Sequence, residues 1–208
     1  MLLEICFIVM LSIGVAALFW LMVRHSSEKI MRQYRTIAQQ LKVDLTEPTP
    51  QLAGFIRAEP FVHGVYRQRE ISISVPGKGL QNTRQIETII KVKVDGESFT
   101  WQITATGLLG GFRQRDSGSK QRWLSGDSLF DSAIDVRTND EVQFARIFDS
   151  DRRALIAQVL KDSKGTIAQR GGVLSFSEFG LIADDTKRER FLQLTELMCD
   201  LAEVVEGR

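Results

Sequence analysis

The chain is poor in the residues that much of enzyme chemistry and cross-linking relies on. It has only two histidines and two cysteines in 208 residues. Cys6 and Cys199 lie near opposite ends, so no disulfide framework is implied. No Cys-x-x-Cys or His-Glu-x-x-His occurs, which removes those zinc signatures. No Gly-x-Ser-x-Gly nucleophile elbow is present, and Gly77-Lys-Gly79 lacks the spacing and the Lys-Ser/Thr ending of a phosphate loop. There is no large excess of either charge: 27 Lys and Arg face 26 Asp and Glu. That balance gives no global reason to expect nucleic acid as a partner. Internal repeats and extended low-complexity segments are also missing.

One local absence organises the rest. No residue from Ile5 to Val23 is charged, and no Lys or Arg precedes Arg24. About 20 apolar residues suffice for a helix to cross a hydrocarbon core, and backbone groups in lipid must be satisfied within the segment, which requires a helix. The competing reading is a cleaved secretory signal. It would call for a basic start, a shorter apolar run and a small-x-small cleavage site, whereas this run ends Trp20-Leu-Met-Val-Arg24. The expectation is therefore a retained transmembrane helix over 1–23. Arg24, Lys29, Arg32, Arg35 and Lys42 all follow the span, so the positive-inside rule places the N-terminus outside and the body in the cytoplasm. Gly14, Ala16 and Ala17 permit close approach of another helix, and a homo-oligomer is possible on that ground; small residues are also simply common in spans.

Residues 24–47 are expected to form a juxtamembrane amphipathic segment. Ile30, Tyr34, Ile37 and Leu41 recur at helical spacing over 26–42. Two readings stand: a short coiled-coil or docking stalk, or a helix packed on its own domain. Thr46-Glu-Pro-Thr-Pro50 then marks a hinge into a soluble α+β domain over 48–208. In that domain Ile71, Ile73 and Val75 alternate with serines, Pro76-Gly-Lys-Gly79 reads as a turn, and Thr88, Ile90, Val92 and Val94 alternate with Glu87, Lys91 and Lys93. Asp95-Gly96 is a hairpin signal, leading to a returning strand with Phe99, Trp101, Ile103 and Ala105 on one face. One apolar and one wet face indicate an antiparallel sheet, with Ile90, Val92, Phe99, Trp101 and Ile103 in one buried cluster.

Residues 107–128 read as a long loop, followed by a short strand near Ala133–Val136. Thr138-Asn-Asp-Glu141 and Thr186-Lys-Arg-Glu189 have the form of capping boxes. The first opens a helix bearing Val142, Ala145 and Phe148, and Asp149 and Ser150 cap the next, with Leu155, Ile156, Val159 and Leu160. A hairpin over 166–179 turns at Gly171-Gly172. The last helix carries Phe191, Leu194, Leu197, Met198, Leu201 and Val205, a stripe suited to covering the sheet.

The stretch Phe130-Asp131 … Ile134-Asp-Val136 … Asp140 … Ala145-Arg-Ile147 … Arg152 … Leu155, with the hairpin and closing helix after it, resembles the C-terminal half of uncharacterised bacterial single-pass membrane proteins. These carry a domain of unknown function after an N-terminal membrane segment. Leu52-x-Gly54 and Gly64-Val-Tyr66-Arg-x-Arg69 are similar to their first strands. The resemblance implies an α+β domain at the bacterial inner membrane and transfers no catalytic or binding residue.

Among candidate sites, the basic stretch Phe112-Arg113-Gln-Arg115 … Lys120-Gln-Arg122-Trp123 suits contact with anionic headgroups or an acidic protein. Stacking on nucleic-acid bases is a third option, and a solvated loop with Trp123 tucked into the core is the plain structural alternative. Asp127, Asp131 and Asp135 form a loose carboxylate series, suited to a divalent metal or acid–base pair, or to turn formation. His63 fits a catalytic role or an ordinary strand position, and Cys199 a nucleophile or a small core residue. No cofactor is expected. The sequence favours a membrane-anchored, non-catalytic accessory or interaction protein docking the bilayer or another membrane or cytoplasmic protein. The rival is a membrane-tethered hydrolase using Asp127, Asp131, Asp135 or His63.

Overall fold

The computed structural model describes residues 2–47, 60–75, 86–95, 99–106 and 120–207. The protein is an α+β chain: a long apolar N-terminal helix, then an antiparallel nine-stranded sheet with helices packed on it. Helix α1 (Leu2–Leu41) runs without a break from the apolar segment into the body, a length of about 60 Å. Its first half is long and apolar enough to cross a membrane, and none of that window is buried inside the protein. Arg24 lies over the Trp20 ring at 5.3 Å and pairs with Glu28 at 3.0 Å, an aromatic–basic pair of the kind found at a membrane interface. In the second half, Ile30, Tyr34, Ile37, Ala38 and Leu41 are buried in the same core as the sheet. Here the helical stripe packs on its own domain.

Strands β1 (Asp44–Thr46), β2 (Phe61–Tyr66), β3 (Arg69–Ser74) and β4 (Glu87–Lys93) form one side of the sheet. Strands β5 (Trp101–Ala105), β6 (Gln121–Trp123), β7 (Ile134–Thr138), β8 (Thr166–Arg170) and β9 (Val173–Phe179) complete it in the order β1-β2-β3-β4-β9-β8-β5-β7-β6. The register lines up one residue per strand in a single row: Leu45, Val62, Ile73, Ile90, Phe176, Ile167, Ile103, Val136 and Trp123. Side chains alternate faces along a strand, so this row marks the core face across all nine strands. Ile90, Val92, Phe99, Trp101 and Ile103 belong to that one buried cluster, as the alternation required.

Five helices cover this face. Helices α1 and α5 (Asp185–Val205) lie over β2, β4 and β9, with Phe191 set edge-on to Phe176 at 6.0 Å. Helices α2 (Ser128–Ala133), α3 (Glu141–Ile147) and α4 (Ser150–Ser163) cover the β5–β7 side. The α5 stripe is buried at Phe191, Leu194, Met198 and Leu201. Gln33 on α1 donates to Asp185 at 3.0 Å and accepts from Arg188 at 2.8 Å, fixing the start of α5 beside α1. Asp185 follows the end of β9, so that end of the sheet faces the apolar half of α1, the candidate span. The opposite end carries the β2–β3 turn at Arg67-Gln68, where both residues have positive φ (49° and 62°). Such turns favour Asn and Gly. Here Arg67 is held instead by Glu196, Asp200 and Glu203 on α5.

The structure corrects several expectations. Strands β4 and β5 are not neighbours, because the β8–β9 hairpin is inserted between them, so Asp95-Gly96 does not close a hairpin. Gly96 itself, the Pro76–Gly79 turn and Pro48–Pro50 lie outside the described residues. The end of the 107–128 stretch is strand β6 and the cap of α2, not loop. In α3 the buried residues are Phe144 and Ile147, with Phe148 at its C-cap, while Val142 and Ala145 are exposed.

Neither Thr138 nor Thr186 is an N-cap. Asp140 caps α3 by accepting from the Gln143 amide at 2.9 Å, and Thr138 ends β7 with its hydroxyl on the Asp140 amide. Asp184 caps α5 by accepting from Lys187 at 2.8 Å, two residues before Thr186. A carboxylate there also meets the positive end of the helix dipole. Asp184→Ala is expected to lower stability by about 1 kcal/mol. Thr186→Ala should change it by less than half of that, with both read from urea unfolding of the detergent-solubilised chain. Equal losses at the two positions would restore the threonine cap.

Candidate docking surface

The register that buries one face of the sheet leaves the other open. Its central row reads Asp44, His63, Ser72, Lys91, Ser175, Ala168, Gln102, Arg137 and Arg122. No described strand residue on this face is buried, and the described helices bury their apolar residues against the other face; α4 borders this one at one end, where Gln158 and Lys161 line a pocket with Gln102, Thr104, Thr166 and Ser177. A shallow groove of about 770 Å³ runs over β2, β3, β4 and β9, lined by His63, Val65, Ser72, Lys91, Lys93 and Val173 among others.

Cations dominate the part of this face remote from the apolar half of α1. Lys93 pairs with Glu70 at 3.2 Å. Asp135 is shared by Arg137 at 3.0 Å and Arg122 at 3.5 Å. Burial lowers the pKa of Lys120, and the nearby Arg170 and Arg137 guanidinium groups lower it further. Like charges have therefore been gathered at one place.

The basic stretch seen in the sequence is divided by the structure. Phe112, Arg113 and Arg115 lie outside the described residues. Lys120 and Arg122 lie on the open face, Lys120 just before β6 at the end away from the span and Arg122 within that strand. Trp123 points the other way: it is 8 % exposed and packs on Phe144 at 4.9 Å, so its ring is held by the core.

The candidate catalytic residues each have a local structural task. Asp127 is the N-cap of α2, accepting from the Leu129 and Phe130 amides. Asp131 accepts from Ser125 through both its amide and hydroxyl and from the Gly126 amide, and these bonds outweigh its burial to hold its pKa below the usual value. Asp135 is tied to the two arginines. His63 stacks on Phe61 at 4.8 Å and shares a hydrogen bond with Thr46 at 3.0 Å. Six strand spacings, roughly 29 Å, separate His63 from the strand of Asp135. The four groups do not converge, and no group of His, Cys, Asp or Glu among the described residues is placed to hold a metal. Cys199 is fully buried on α5, and burial pushes its thiol up to about 11, which leaves it protonated and inert at neutral pH.

Sequence reasoning missed Lys91, Arg137 and Arg170 as members of one surface. The alternation of Lys91 and Lys93 with buried valines was visible. That β4, β8 and β7 lie in one sheet, with that face uncovered by the described residues, was not.

No family model matches the chain, and no curated protein matches it in sequence. The architecture does recur among solved structures: an α+β fold of this kind is found in a mycobacterial protein. That protein is described as the mycobacterial trehalose monomycolate transport factor A, TtfA, and matches with a TM-score of 0.56 at 12 % identity. The match covers 83 % of this chain and 94 % of that one. At such identity the likeness is one of fold.

Proposed function

We propose that this protein is a membrane-anchored, non-catalytic accessory subunit that receives a protein partner on the open face of its sheet. Residues 1–23 serve as the span, 24–47 connect it to the body, and 48–208 form the docking domain. The observation that carries this reading is the asymmetry of the sheet: one face is sealed by five helices, and no described residue on the other is buried. A sheet face of this width left uncovered by the described residues, roughly 38 Å across nine strands, is suited to a macromolecular surface rather than to a small substrate. The dispersal of His63 from Asp127, Asp131 and Asp135 favours docking over hydrolysis. A chain of the same fold serving as a transport factor agrees with an accessory role, without assigning the same cargo.

The basic run after Arg24 favours a single-pass inner-membrane topology with the body in the cytoplasm. Contact of Phe112, Arg113, Arg115, Lys120 and Arg122 with anionic lipid remains a second proposal. The position of Lys120 at the end away from the span favours a protein over the bilayer.

Photo-crosslinking in intact cells tests the docking reading. A photoreactive residue at Ser175 on the open face should give a discrete adduct with another protein. The same residue at Gln193, exposed on α5, should not. Adducts of equal yield from both faces, or none at Ser175, would overturn it.

A further inference from the structure

We propose that the part of the open face remote from the span binds an acidic polypeptide segment of a partner protein; the proposal rests on the docking reading and names the partner's chemistry. The register places Lys91 and Lys93 on β4, Arg170 on β8, Arg137 on β7 and Arg122 on β6 on this one face, with Lys120 just before β6. Two carboxylates answer them, Glu70 to Lys93 and Asp135 to Arg122 and Arg137. Lys91, Lys120 and Arg170 have no anionic partner among the described residues. Lys120 is half-buried just before β6, with Arg170 and Arg137 near it; burial first, and these two charges after it, lower its pKa. Like charges held together on rigid strands oppose folding, and a bound anion relieves them.

The shape narrows the ligand. The cations come from four strands: Lys91 and Lys93 line the shallow groove together with Glu70 and Asp95, and β9 separates β4 from Arg170 on β8. Lys120, Arg137 and Arg170 lie close together, but the set from Lys91 on β4 to Arg122 on β6 reaches across six strands, roughly 24 Å, which suits a chain carrying several carboxylates rather than a single phosphate. Among the described residues, the aromatic rings of this face that nucleic-acid bases would stack on lie elsewhere on it. Phe61 and Phe179 sit at the end facing the span, and His63 is occupied by Phe61 and Thr46. A bilayer fits poorly as well, because the cationic rows lie toward the end opposite the anchor.

The test uses the full chain in nanodiscs of neutral phosphatidylcholine, with a fluorescent deca-glutamate peptide as the probe. The peptide should bind at low salt and weaken steeply as salt rises. Lys91→Glu with Arg170→Glu should reduce affinity at least roughly ten-fold, and the Gln pair at the same positions by less. Arg146→Glu with Lys161→Glu, an equal charge change on the exposed sides of α3 and α4, should leave binding within about two-fold. The proposal is overturned by no binding at low salt or by equal losses in the two charge-reversed variants. It is also overturned if oligo-uridine or phosphatidylglycerol vesicles bind this face more tightly than the peptide. Failure of the peptide with the Ser175 crosslinks intact removes only the acidic assignment, whereas loss of those crosslinks removes the docking reading itself.

Discussion

Trp101→Ala should unfold the body or bring it to the edge of unfolding. The indole is fully buried at the centre of an aromatic cluster, edge-on to Phe148 at 4.9 Å and to Phe144 at 5.9 Å, with Phe99 at 6.5 Å. Truncating such a ring costs about 3–5 kcal/mol through lost contact and the cavity left behind. A second loss adds to it. Trp101 Nε1 donates to Gln169 Oε1 at 2.8 Å, across the β5–β8 pair. Gln169 is 0 % exposed and its Nε2 already lacks a partner, so losing the indole leaves the whole amide unpaired. An unsatisfied buried polar group costs a further 1–3 kcal/mol or so. Against a typical domain stability of about 5–15 kcal/mol, the sum is decisive. Trp101→Phe keeps most of the packing and gives up the hydrogen bond, so it should show the smaller loss alone. Urea unfolding of the detergent-solubilised chain, followed by far-UV circular dichroism, reads both variants. A Trp101→Ala protein within about 1 kcal/mol of the parent would show that the cluster is not the core of the sheet.

Glu206→Ala is the second large effect, at the far end of the molecule. Arg69 and Glu206 form a two-pronged pair at 2.6 and 2.7 Å, and their side chains are only 7 % and 5 % exposed. Glu206 also accepts from the Asp95 amide at 2.9 Å, so one carboxylate joins the end of α5 to β3 and to the chain leaving β4. Removing it strands a buried guanidinium, which typically costs about 3–5 kcal/mol. Replacing both partners, Arg69→Met with Glu206→Leu, should recover most of that loss, because a buried ion pair is often matched by apolar residues of similar volume. The same unfolding measurement gives the cycle. If the double variant is as unstable as Glu206→Ala, the damage lies in the Asp95 hydrogen bond or the helix end rather than in the stranded charge.

The parts of this fold that could be read from the sequence are those set by local alternation. Thr88, Ile90, Val92 and Val94 declare one face of β4, and the α5 stripe declares its buried side, because burial imposes a period that neighbours in sequence must keep. Strand order is not local. The hairpin at Asp95-Gly96 was a sound reading of turn chemistry that lost to the insertion of β8–β9, a pairing made by residues some 80 positions further on. The caps failed more narrowly: threonine and aspartate both lie within three residues of each helix start, and geometry chose the carboxylate. Short helices were misread for the same reason that α3 was. Seven residues give two turns, too few for Phe144 and Ile147 to outvote Val142 as the buried set. The open face was the least legible, since its cations come from four strands and its exposure among the described residues depends on where the described helices settle.

The unbroken course of α1 has a mechanical consequence. With no break between the apolar half and the turns docked against α5, the two halves share one helix axis. Each residue of a helix advances its direction by about 100°, so the side of α1 that carries Gly14, Ala16 and Ala17 stands in a set angular relation to the side that carries Ile30, Tyr34 and Ile37, and through them to the sheet. Whatever held one side of the apolar half would thereby set the direction in which the open face of the sheet turns.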